Sequence, residues 1–342
     1  MAGPLALSAP QLIDLHPPAA DMRRLVVAGM ERQPRQLPAW LLYDDEGSRL
    51  FDAICQQPEY GLTRIETALL QERATELAAA LGPGALVEFG AGSARKVSPL
   101  LQALDPSAYV ALDISAAHLL QACQALQQRH PTTPVLGICC DYSQLDQLPA
   151  HPWLERRRLG FYPGSSIGNF SPDEAVTLLG QFRKLLGPDS RLLIGIDQPK
   201  AVERLEAAYN DQAGWSEAFA LNLLKRLNRD LEGDFHPEAF QYRAWWEAEA
   251  SRIAMALVSR EPQTVTLAGQ RWSFAAGEPL FSEYSVKYTP NAFGQLAQRA
   301  GWRSLQRWSD AADDLSLHLL EPVEQGPAAP VEPDSQQQHS DR

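Results

Sequence analysis

Residues 85–95 read ALVEFGAGSAR, and the fold turns on how that stretch is read. An apolar run that reaches two glycines and a serine spells a strand turning sharply into a helix. In that geometry backbone N–H groups and a helix N-terminus face whatever lies beyond the strand, as in many sites for nucleoside-bearing ligands. Position 95 is Arg, so the third glycine of the dinucleotide fingerprint is missing. That glycine admits a pyrophosphate close to the helix, and its absence favours a ligand without one. A glycine pair alone is equally a plain turn, so the neighbouring sequence has to decide.

The neighbours alternate regularly. Strand-like runs at 86–89, 109–112, 134–139, 158–162 and 191–196 are separated by helical text at 96–104, 115–129 and 172–186, the last with Ser171 as a good N-cap. The pattern predicts an α/β fold of βαβ units with right-handed crossovers and a mostly parallel sheet. Ligands of such sheets lie outside the carboxyl ends of the strands. There the sequence places Glu88 with the turn at 90–93, then Asp113, then Asp141 with Tyr142, then the loop 163–170. Asp113 suits a ribose, because a carboxylate can accept from two adjacent hydroxyls. Asp141 suits the exocyclic amine of an adenine, with Tyr142 covering a face of the base. S-adenosylmethionine fits this set better than NAD. Its carboxylate has Lys96 as a candidate partner, and its ammonium can use carbonyls of the turn. Taken singly, each acid is a helix cap and Lys96 a solvated side chain; the ordered series after successive strands carries the reading.

Composition narrows the partners. The chain has 342 residues and a formal net charge of −12, which argues against nucleic acid or an anionic membrane surface as a partner. Cys55, Cys123, Cys139 and Cys140 show no metal-binding spacing. No metal is expected, the thiols are read as reduced, and the expected location is cytoplasmic. A monomer is expected.

Outside the alternation lie two unusual segments. A helix is predicted at 20–33, followed by a stretch dense in aromatic and acidic residues that includes Tyr43, a Pro58-Glu59-Tyr60-Gly61 turn and a long helix at 63–80. After the fifth strand come about 80 residues that no ordinary connection explains. They read as helical text at 200–231, an aromatic helix at 240–250, and strands at 253–259, 264–267 and 271–274. This insertion predicts a second domain or lid over the strand ends. At its close, LFSEYSVKY places Phe281, Glu283 and Ser285 on one face of a strand. A Glu and a Ser so placed can bind the two nitrogens of an imidazole, or can equally be a solvated face. A helix at 291–300 and strands at 303–308 and 315–320 follow. The Pro-, Gln- and acid-rich 322–342 is expected to be disordered.

The stretches YDDEGSRLFDAICQQPEYGLTRIE, LVEFGAGSARK, ALDIS, CDY, GSSIGNFSP, IGIDQPK, AYNDQAGWSEAFALNLLKRLNRDL, DFHPEAF and FAAGEPLFSEYSVKY occur in this order. With them the chain resembles the L-histidine Nα-methyltransferases of ergothioneine biosynthesis from about residue 25 to 320. The resemblance implies a Rossmann-like class I methyltransferase domain with a mostly parallel seven-stranded sheet, covering 63–199 and 289–321. It also implies a substrate-binding domain from 11–62 and 200–288. The implied reaction is three successive methylations of L-histidine by S-adenosyl-L-methionine, giving hercynine. Tyr43, Gly90, Lys96, Asp113, Asp141 and Tyr142 are implied for the cofactor, with Asn169 and Tyr43 at the reacting amine. Asn169 and Tyr209 are implied for the carboxylate and amine region, Gly164 through its backbone, Tyr60, Glu283 and Ser285 for the imidazole, and Met255 as lining. The chain departs at Gly61, where relatives often carry a second Tyr. A methyltransferase for another amino acid of the tryptophan or tyrosine type, a dinucleotide oxidoreductase and a silent S-adenosylmethionine-binding protein are the alternatives. An acidic Glu283 is a poor host for an apolar ring.

Overall fold

All five residues of the strand Ala85–Phe89 are buried, as expected of a strand covered on both faces of a parallel sheet. The computed structural model describes residues 9–15 and 19–323. In chain order the elements are β1 (Gln11–Asp14), α1 (Ala19–Glu31), β2 (Arg35–Gln36), α2 (Asp45–Ile54), α3 (Leu62–Glu72), α4 (Ala74–Leu81), β3 (Ala85–Phe89), α5 (Ser98–Leu104), β4 (Tyr109–Asp113), α6 (Ala116–Arg129) and β5 (Val135–Cys139). They continue as β6 (Arg158–Tyr162), α7 (Pro172–Leu186), β7 (Arg191–Asp197), α8 (Val202–Ala208), α9 (Trp215–Leu231), β8 (Phe240–Glu247), β9 (Arg252–Ser259), β10 (Gln263–Leu267), β11 (Gln270–Phe274) and β12 (Pro279–Val286). The last three are α10 (Pro290–Arg299), β13 (Trp302–Ser309) and β14 (Leu315–Pro322).

The large sheet has eight strands in the order β1-β5-β4-β3-β6-β7-β14-β13. Only β14 runs against its neighbours. The expectation was seven strands; the eighth is β1, which pairs in parallel with β5. Gln11–Asp14, expected with the substrate-side segment, therefore belongs to the large sheet. The strand order reverses between β3 and β6, and the crevice outside their carboxyl ends is the natural ligand position in such folds. Asp113 closes β4, the turn at 90–93 follows β3, and a short 3₁₀ turn, Ser166–Asn169, follows β6. Helix α7 begins with a full capping box between Ser171 and Glu174, which fixes where that loop ends.

A second sheet, β2-β12-β9-β8, is built from both unusual segments, and β10 and β11 form a separate hairpin. The predicted helix at 240–250 is instead strand β8. Phe240 and Tyr242 are buried while Gln241 and Arg243 are exposed, a period of two that aromatic residues favour. The predicted helix at 63–80 is two helices, because Arg73 leaves helical geometry (φ −106°, ψ 8°) and caps both α3 and α4. A shift of register between Phe281 and Glu283 corrects the predicted face of β12. Across this bulge Phe281 changes sides and stacks on Tyr284, ring centroids 5.2 Å apart, away from Glu283. Residues 324–342, most of the expected disordered tail, lie outside the described residues.

The two sheets meet where the 3₁₀ turn lies on the end of β12. A Cβ added to Gly168 would stand 2.6 Å from the carbonyl oxygen of Val286, so the turn docks there only because position 168 has no side chain. Gly168→Ala is expected to destabilise the protein by about 1–3 kcal/mol. Denaturant melts check this; an unchanged midpoint would show that the turn and β12 separate freely.

Candidate active site

The cleft above β3 and β6 holds a cavity of about 270 Å³ lined by Tyr43, Gly90, Lys96, Asp113, Asp141, Tyr142, Gly164 and Asn169, with Tyr60 at its inner wall. All six residues expected at the cofactor are therefore in one cavity. The turn uses several of its own N–H groups. The N–H groups of Gly90 and Ala91 both donate to the Leu112 carbonyl, and the Gly92 N–H donates to Asp113 Oδ2 at 2.8 Å. Helix α5 starts only at Ser98. With the N–H groups of residues 90–92 spent internally, the turn presents fewer amides to a pyrophosphate, and a ligand with a cationic ammonium suits it better. Gly90 and Gly92 sit at φ +70° and +52°, a region that favours glycine.

Asp113 Oδ1 accepts from the backbone of Ile114 and Ser115, while Oδ2, which accepts only from Gly92, keeps a lone pair for a ribose hydroxyl. Asp141 spends Oδ1 on the N–H and hydroxyl of Ser143, and its other oxygen has no contact with these donors. The Tyr142 ring meets Phe89 edge-on and brings its hydroxyl to 3.5 Å from that of Tyr162. This donor set fits the adenosine and amino-acid ends of S-adenosylmethionine. Lys96 is not a free cation. Its ammonium lies 2.8 Å from Glu66 Oε2, and Glu66 also accepts the Gly164 N–H on both oxygens, at 2.8 and 2.9 Å. Burial works against the charge on Lys96, but Glu66 outweighs it and the ammonium is held above its usual range. Of the Gly164 backbone, the N–H is thus taken by Glu66. The sequence reading missed Glu66; its signal is a lone acid between Leu62 and Leu69 on the apolar side of α3.

A second, smaller pocket of about 30 Å³ is lined by Phe51, Tyr60, Tyr209, Met255, Ser282 and Glu283 among others. Phe51 and Tyr60 also line the larger cavity, so the two share a wall. Glu283 is buried, and its Oε1 accepts from Asn169 Nδ2 at 2.6 Å and, at 3.5 Å, from the Tyr43 hydroxyl. Burial pushes its carboxyl up to about 8, against the pull of Tyr43 and Lys287. Burial and the neighbouring Glu283 also raise Tyr43 well above the usual phenol range, so Tyr43 stays protonated. Tyr60 meets Tyr209 edge-on at 6.0 Å. The Tyr209 hydroxyl lies 2.8 Å from Ser285 Oγ. Lys287, also missed, continues the alternation of Glu283 and Ser285; its ammonium contacts Tyr209, Ser285 and Asp197.

A glycine turn and strand-end acids over this sheet order, beside a small pocket into which Glu283 and Tyr209 bring polar groups, define a class I methyltransferase that uses S-adenosylmethionine. The model of the family described as "Histidine-specific methyltransferase, SAM-dependent" matches residues 22–322, and the chain belongs to that family. The Histidine N-alpha-methyltransferase of Mycolicibacterium smegmatis is 37% identical over 309 residues, covering 88% of this chain and 95% of the relative. The protein of the same name from Mycobacterium tuberculosis is 35% identical over 305 residues, covering 87% and 94%. Ergothioneine biosynthesis protein 1 of Neurospora crassa is 31% identical over 308 residues, covering 84% of this chain and 33% of that longer protein.

Asp113→Ala is expected to weaken S-adenosylhomocysteine binding by about 10- to 100-fold, the cost of losing a charged hydrogen-bond partner. Calorimetric titration checks it, and unchanged affinity would put the ribose elsewhere.

Proposed function

We propose that this chain methylates the α-amine of L-histidine three times in succession, giving Nα,Nα,Nα-trimethylhistidine (hercynine) on the way to ergothioneine. The observation that carries the reading is Glu283. Its Oε1 takes both protein donors, so Oε2 is left for an N–H of the substrate, and a hydroxyl pair lies two residues further along the same face. One acceptor and one hydroxyl wall suit a ring with one N–H and one bare nitrogen. An apolar ring would leave the buried carboxylate unpaired, which a site of this kind rejects strongly.

Asn169 and Tyr43 stand where the two cavities meet. Asn169 is fixed through Nδ2 on Glu283, which leaves its Oδ1 to accept from the α-amine and orient it toward the larger cavity. S-adenosylmethionine, held by Asp113, Asp141, Tyr142 and the turn, supplies an electrophilic methyl on a sulfonium. The chain therefore needs no covalent nucleophile, only a neutral amine held in line and shielded from water. Tyr43, kept protonated, serves as a neutral hydroxyl at that junction and does not take up the amine's proton as a phenolate. The amine has a reference pKa of about 8, so its neutral form is available near neutral pH. Phe51 and Tyr60, lining both cavities, give methylated intermediates an apolar wall. Tyr60, Met255, Ser285 and Tyr209 enclose the ring, with Gly164 leaving space beside Lys96.

The direct test is incubation with S-adenosylmethionine and all common amino acids, followed by mass spectrometry. Histidine alone is expected to gain one, two and three methyl groups; transfer to another amino acid instead would overturn the reading.

A pH dependence follows from Glu283. A free imidazole titrates at about 6.5, and free Glu283 at about 8. To accept the ring N–H the carboxyl must be ionised, and to keep a bare nitrogen the ring must be neutral. Above about pH 8 both already hold in the free partners and affinity is flat; between the two values binding releases the carboxyl proton. Affinity for 3-(imidazol-4-yl)propionate, which lacks the α-amine, is therefore expected to fall about tenfold per unit as the pH drops from about 8 toward about 6.5. In Glu283→Gln that fall should vanish; its persistence would show that another group sets it.

A further inference from the structure

Lys287 is fully buried, just beyond the end of β12. Its ammonium has three donors, and three acceptors surround it: Asp197 Oδ2 at 2.7 Å, the Tyr209 hydroxyl at 2.7 Å and Ser285 Oγ at 2.8 Å. Asp197 is in turn anchored by Lys200, whose ammonium lies 2.7 Å from Oδ1. An ammonium only donates. Both hydroxyl oxygens must therefore accept from Lys287, and each must send its own proton elsewhere. The two oxygens are 2.8 Å apart, so one proton lies between them. The other is surplus and free for a ligand, and Tyr209 lines the same pocket as Glu283.

Stability alone does not account for this arrangement, because replacing a buried ion pair by apolar residues is often neutral or stabilising. What the ion pair does supply is direction. Without a donor-only neighbour, two hydroxyls can turn either way and can accept from a ligand as readily as donate to it.

We infer that Lys287 is a positioning residue that fixes the Tyr209–Ser285 hydroxyl pair as a hydrogen-bond donor, so that the site selects rings carrying an acceptor atom as well as an N–H. The inference rests on histidine being the substrate. It extends specificity from Glu283, which reads the N–H, to a second group that reads the bare nitrogen.

The test compares L-histidine with a pyrrolylalanine that keeps the ring N–H but has C–H in place of the acceptor nitrogen. The unaltered protein is expected to favour histidine by about 100-fold or more in kcat/KM. In Lys287→Met that preference should shrink at least about tenfold, mainly through a higher KM for histidine. Affinity for S-adenosylhomocysteine should stay the same. An unchanged preference in folded Lys287→Met, as judged by melting and by cofactor binding, overturns the inference while leaving the histidine reading intact. Where Lys287→Met does not fold, Lys287→Gln, whose amide both donates and accepts, takes its place with the same expected loss of preference. The unaltered protein using both substrates within threefold also overturns the inference. No histidine turnover by a protein that still binds S-adenosylhomocysteine overturns the histidine reading and this inference with it.

Discussion

Burying a carboxylate is tolerable only where donors are brought to it, and the donors of Glu283 come from two distant parts of the chain. Asn169 arrives from the loop after β6 and Tyr43 from the segment before α2, while Glu283 itself stands on β12. One oxygen atom thus joins the large sheet, the N-terminal segment and the inserted sheet. Separating any of the three would strand a buried acid, so the contact that closes the molecule is also the one that gathers both donors on Oε1.

A second buried acid does the same work on the cofactor side. Glu66 has no exposed side-chain surface and joins Lys96, from the turn after β3, to the backbone of Gly164, from the loop after β6. The two loops that flank the reversal of strand order are thereby fixed relative to each other. Lys96 stays charged because of this partner, so the turn keeps a cation at its edge. The two acids divide the tasks: Glu66 shapes the cleft without needing a ligand, and Glu283 keeps an oxygen in reserve.

The central strands were legible because their signals are local. Arg158–Tyr162 and Pro172–Leu186 coincide with the predicted limits, since a continuous apolar run and a serine cap with proline at the first helical position specify them without help from the rest of the fold. Failures fall where distant contacts decide. The aromatic stretch after Phe240 reads as a helix in the sequence, yet pairing with β9 makes it a strand. The bulge beside Ser282 cannot be read from alternation, which assumes an even pleat. At the site, Asp113, Asp141 and Glu283 were visible as acids at strand ends or on one face of a strand. Glu66 and Lys287 were not, because each takes its meaning from a partner more than 20 residues away.

The short strand Arg35–Gln36 pairs with Leu280 and Phe281, and Arg35 is ion-paired with Glu278. The neighbours of β3 in the large sheet, by contrast, all follow within the next stretch of chain. During synthesis β3 to β7 of the large sheet can therefore assemble early, whereas the second sheet must wait until β12 has left the ribosome. Until then Arg35 and Gln36 have no strand to pair with. A nascent chain stalled before β12 would carry the central strands in place beside an unfinished second sheet, and its unpaired N-terminal segment would be a natural target for chaperones.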